Sequence, residues 1–95
     1  MVGGMALTVY KYPVPLEDEF TLDLPMAAKI LTFQTQGNAP CVWALVDPDA
    51  RPTKRQFRLA GTGHPINEAE RDLVYVGTVQ LHGGALVFHL FEVLS

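Results

Sequence analysis

Leu73-Val74-Tyr75-Val76-Gly77-Thr78-Val79-Gln80-Leu81, then His82-Gly83-Gly84, then Ala85-Leu86-Val87-Phe88-His89-Leu90-Phe91-Glu92-Val93 is the stretch that decides the fold. Both flanks are rich in β-branched and aromatic residues, and the glycines between them permit the positive backbone angles of a tight turn. The stretch therefore predicts a β-hairpin. The same texture continues upstream, with little helical periodicity anywhere in the chain.

Leu7 to Tyr12 alternates β-branched and aromatic residues until Pro13 and Pro15 stop it. Glu19 to Leu24 places Phe20, Leu22 and Leu24 on one face and Glu19, Thr21 and Asp23 on the other. Lys29 to Gln36 sets Leu31, Phe33 and Thr35 against Ile30, Thr32, Gln34 and Gln36, and Gly37-Asn38-Ala39-Pro40 turns it toward Cys41 to Asp47. That last run is apolar on both faces, which predicts a central strand. Lys54 to Ala60 puts Lys54, Gln56 and Arg58 on one face and Phe57 and Leu59 on the other, with Arg55 at the rim. Asn67 to Asp72 is acidic and predicts one helical turn capped by Asn67. Seven strands at this spacing predict an all-β fold, a small antiparallel sandwich or barrel with at most one short helical turn.

The chain has 95 residues, room for one domain, so residues 6–95 are read as a single β domain and 1–5 as a flexible tail, with Met5 an alternative start. Nearly half the residues are apolar and the net charge is −3, which argues against disorder and against general nucleic-acid binding. At this size burial is only just sufficient for folding, so association with copies of itself is expected. Cys41 is the single cysteine and excludes an intramolecular disulfide, in keeping with a reduced cytoplasmic setting. No signal peptide and no run of membrane-spanning length is read, so no membrane partner is expected.

Arg51, Lys54, Arg55 and Arg58 fall within eight positions and lead into Gly61-Thr62-Gly63-His64. Cations, backbone amides, a hydroxyl and an imidazole could converge there on a phosphate. The candidate ligand-binding residues are thus Lys54, Arg55, Arg58, Gly61, Thr62, Gly63 and His64, with Trp43 or Tyr75 to stack on a base. Plainer readings stand beside these: charged residues guarding a sheet edge, and Trp43 in the core. His64, His82 and His89 lack a second ligand at metal-binding spacing, so no metal or other cofactor is called for. His82 marks the hairpin turn, and His89, on the face of Val87 and Phe91, reads as a hydrogen-bonded packed histidine. For nucleophilic catalysis only Thr62 with His64 offers a pairing, because Ser95 is terminal and Cys41 sits on an apolar strand. Asp47-Pro48-Asp49 reads as a turn.

Three blocks carry a resemblance: Trp43-Ala44-Leu45-Val46-Asp47-Pro48, Phe57-Arg58-x-x-Gly61-Thr62-Gly63-His64-Pro65-Ile66, and Tyr75-x-Gly77-Thr78-x-Gln80-Leu81-x-Gly83-Gly84-x-Leu86-Val87-Phe88-His89-x-Phe91-Glu92. They resemble a family of short uncharacterised proteins carried by bacteriophages and prophages, over roughly Tyr10 to Glu92. The resemblance implies a viral protein in the host cytoplasm and brings no catalytic residues with it. By analogy with small phage proteins that sequester nucleotide signals of bacterial defence, the expected function is non-enzymatic capture of a small phosphate-containing ligand. The alternatives are a structural or regulatory protein-interaction module and, third, a phosphoester-cleaving enzyme using His64.

Overall fold

In a computed structural model that describes residues 6–94, the alternating runs form seven strands. They are β1 (Thr8–Pro13), β2 (Glu19–Pro25), β3 (Lys29–Gln36), β4 (Ala39–Val46), β5 (Pro52–Gly61), β6 (Leu73–Leu81) and β7 (Leu86–Val93). A three-stranded sheet has the order β1-β4-β3 and a four-stranded sheet the order β2-β5-β7-β6, every neighbouring pair antiparallel. The fold is thus all-β, as the alternation predicts. The segment 1–5, read as a tail, lies outside the described residues.

β4 is central in its sheet because it can be buried on both sides. Val42, Ala44 and Val46 join the core, while Cys41, Trp43 and Leu45 take the outer face beside Pro13, Lys11 and Val9 of β1. The hairpin from β3 turns at Gly37, whose φ of +63° suits the first position of a two-residue loop. On β3 the expected phase fails at one residue. A bulge between Ile30 and Thr32 inserts an extra position, so Ile30 and Phe33 both pack on the core and Leu31 is 46% exposed.

The four-stranded sheet contributes Leu24, Phe57, Leu59, Val79 and Leu90 to the same core. Burying each large side chain here stabilises the fold by about 2 kcal/mol. The β6–β7 hairpin turns through a 3₁₀ turn at His82–Gly84, in which His82, Gly83 and Gly84 all have positive φ. A second 3₁₀ turn, Glu70–Asp72, precedes β6. It opens from Ala69 with no side-chain cap, so Asn67 does not cap it as expected. The helical geometry begins too late for that, and Asn67 instead lines a cleft beside Arg58.

The two sheets close on one another where β3 crosses β6. There Gly77 lies so near β3 that an added Cβ would stand 3.1 Å from Phe33 Cβ and 3.2 Å from the Phe33 carbonyl oxygen. Since one obstacle is backbone, the contact cannot relax by a rotamer change. Gly77→Ala is expected to destabilise the protein by about 1–3 kcal/mol in chemical unfolding, whereas a wild-type midpoint would show that the sheets slide apart freely at this crossing.

Candidate functional site

β5 sorts its side chains by face. Arg55, Phe57, Leu59 and Gly61 lie on the core side, and Lys54, Gln56, Arg58 and Ala60 on the outer side. The basic residues are therefore divided, and each meets a carboxylate. Exposed Lys54 pairs with Asp23 at 3.1 Å. Arg55 is not at the rim: being on the core side opposite Leu22, it grips Glu92 through Nε and Nη2 at 2.6 and 2.7 Å and donates from Nη1 to the Ala28 carbonyl. Hydrogen bonding to Glu92 raises the Arg55 guanidinium above its ordinary pKa, against the opposing effect of burial.

Arg58 is only 7% exposed, the buried charge of the described residues. Its Nε lies 3.3 Å from Glu68 Oε1 and its Nη1 3.9 Å from Glu19 Oε2. Neither Arg58 Nε nor Glu68 Oε1 has a formed hydrogen bond, so the attraction is between charges rather than through a well-aligned donor. This pair ties the segment between β5 and β6 down across the outer face. Breaking a buried pair strands the surviving charge.

The Gly61-Thr62-Gly63-His64 turn is tight, with Gly63 at φ +88° and the His64 N–H donating to the Gly61 carbonyl at 3.0 Å. The Thr62 N–H donates to the Val87 carbonyl at 3.2 Å, so two of the amides expected to cradle an anion serve the fold. The side chains part in opposite directions. The His64 ring lies against the core-side face of Gly61, where an added Cβ would stand 3.0 Å from Nδ1, while the Thr62 hydroxyl turns to the outer face. No Thr62–His64 pair forms.

Thr62 meets His89 instead. Its Oγ1 shares a hydrogen bond with His89 Nε2 at 2.7 Å, His89 Nδ1 shares one with Thr78 Oγ1 at 3.0 Å, and Thr78 Oγ1 shares one with Tyr75 Oη at 2.5 Å. The backbone builds this chain by register, because Ala60 stands opposite His89 and His89 opposite Thr78. Tyr75, 58% exposed, rests edge-on against Phe91 with ring centroids 5.6 Å apart. The result is a continuous line of hydroxyls and one imidazole, ending in an open aromatic ring. Trp43 is on the outer face of the other sheet and cannot share a ligand with it.

His89 is the hydrogen-bonded histidine that its face predicts, bonded at both ring nitrogens, and with Thr78, which the candidate ligand residues do not include, it forms the middle of the line. A signal for them exists in the hairpin: Leu81 pairs with Leu86 across the turn, and counting outward three steps places Thr78 opposite His89. Clefts surround the turn rather than enclose it. One of 270 Å³ is lined by Gly61, Thr62, His64 and Phe88 among others, and one of 330 Å³ by Arg58, His64 and Asn67 with the carboxylates of Asp18 and Glu19. The acidic lining makes the second a poor anion pocket. Among the described residues no helix is long and apolar enough to cross a membrane.

Because Arg58 serves the fold, Arg58→Ala is expected to cost about 3–5 kcal/mol in unfolding free energy, while Lys54→Ala at the exposed pair should stay within about 0.5 kcal/mol. Equal, small effects from both would mean that Glu68 does not anchor the loop.

No curated protein and no solved structure matches the chain. A family model matches residues 5–95, a span that contains all seven strands and the whole Thr62–Tyr75 line. The chain belongs to the family defined by that model, a domain of unknown function designated DUF7352.

Proposed function

We propose that the protein is a non-catalytic binder that sequesters a small phosphate-containing, nucleotide-like ligand on the outer face of its four-stranded sheet. The observation that carries this reading is the line Thr62–His89–Thr78–Tyr75. Hydroxyls held in line by the imidazole between them offer hydrogen bonds to phosphate at one end, and the exposed Tyr75 ring offers a stacking surface for a base at the other. On this proposal the protein is phage-carried and acts in the bacterial host cytoplasm, with a nucleotide signal of antiviral defence as the ligand. Holding such a ligand needs no nucleophile, only complementary donors and a platform.

The second reading is a protein-interaction module. It is favoured by the outer face of the three-stranded sheet, where Val9, Trp43 and Leu45 lie together next to the edge of β1 that is unpaired among the described residues. Calorimetry with cyclic dinucleotides and ADP-ribose derivatives separates the two. Binding with ligand recovered intact supports sequestration, degraded ligand supports phosphoester cleavage, and silence across the panel leaves the interaction module.

The seat of binding is tested by variants. Thr78→Val and Tyr75→Ala are each expected to weaken affinity by about tenfold, from a lost hydrogen bond and a lost stacking surface. Lys54→Ala and Trp43→Ala should bind as wild type. If Trp43→Ala abolished binding and Tyr75→Ala did not, the ligand would belong to the other sheet.

A further inference from the structure

We infer that His89 is the charge switch of this face: its imidazolium form, not the neutral ring, receives the anionic part of the ligand. The inference rests on the binding reading above and specifies how that site recognises its anion. It follows from counting hydrogens along the line. Three shared hydrogen bonds link four groups, and each link consumes one hydrogen. With a neutral imidazole the three hydroxyls and the ring supply four hydrogens, so a single one is left to point outward. One end of the line then presents a donor and the other a bare oxygen, which repels an anion.

Adding one proton to His89 makes both ends donors. Both ring nitrogens now donate, Thr62 and Thr78 each accept, and the Thr62 hydroxyl hydrogen is released outward. A second hydrogen is released on the other side, from Tyr75 when Thr78 donates to it or from Thr78 when Tyr75 does. The line thereby gains an outward donor and a unit positive charge in the same step. Charge-assisted hydrogen bonds are the stronger kind, so an anion selects this form.

The neighbourhood leaves this task to the imidazole. On the outer face β7 carries Val87, Phe91 and Val93 besides His89, and β6 carries Leu73, Tyr75, Thr78 and Gln80. On β5 Arg58 is tied to Glu68 and Glu19, and Lys54 is paired with Asp23. His64 lies across the strand, on the core side of Gly61. Every lysine and arginine sharing this face of the sheet is already matched to a carboxylate, which makes His89 the face's source of uncompensated positive charge.

The test uses cyclic diadenylate, a phosphodiester whose charge does not change across the interval in which imidazoles titrate, with affinity measured near pH 8 and near pH 6. Wild type is expected to bind about tenfold tighter at the lower pH. The gain should vanish in His89→Gln and persist in His64→Gln. In wild type held at neutral pH, adding the dinucleotide should also move the His89 ring nitrogen resonances to the doubly protonated pattern, a readout that does not depend on any variant folding. Equal affinity at the two pH values, with binding intact, overturns the switch and leaves the sequestration reading standing. No binding at either pH, with silence across the panel of cyclic dinucleotides and ADP-ribose derivatives, overturns both.

Discussion

The pairing of β5 with β7 is the contact on which the rest of the molecule depends. It joins segments about thirty residues apart and is read out at three levels along one ladder. At one end Arg55 closes on Glu92, in the middle Phe57 and Leu90 fill the core, and at the other Thr62 reaches His89. A one-residue slip would send Phe57 to solvent and separate both polar contacts, so register here is specified by burial and by chemistry together. The β6–β7 hairpin arrives as a local unit, and this ladder fixes where it docks.

Much of that was written in local pattern. Alternation along Glu19 to Leu24 and along Lys54 to Ala60 assigned faces correctly because an antiparallel strand with one wet side must alternate. The doubly apolar run at β4 was central for the reason that made it apolar. What the pattern concealed were the irregularities and the partners. The bulge at Leu31 inverts the phase of its strand without any glycine or proline to announce it. Arg55 carries the same charge as Arg58 but faces the core, and its partner Glu92 is 37 residues away. A charge cluster in sequence thus says little about charge in space until the carboxylates that answer it are known, and Glu68, Glu92 and Asp23 come from three separate segments.

This division of labour changes what the glycine turn does. Its sharp path is needed because the chain must leave β5, send Thr62 to one face and lay His64 against the other, within a few residues. Gly61 supplies the close approach for the imidazole and Gly63 the positive φ. The turn is therefore a distributor of side chains more than a cradle of amides. The partner of the hydroxyl it sends outward is found on a strand that the local sequence does not contain.

Arg58 and the hydroxyl line are parts of one surface. Arg58 stands opposite Phe91, and Phe91 stands opposite Tyr75, so the row that holds the buried guanidinium runs beside the row Ala60, His89, Thr78. A guanidinium is at home in that row because Glu68 comes down to it from the loop and Glu19 from β2, which consumes its charge and fastens the loop in the same contact. The adjacent row keeps only neutral donors and one titratable ring, on rigid strands rather than on the loop. Positional precision comes from the sheet, whose register sets the imidazole between its two hydroxyl partners.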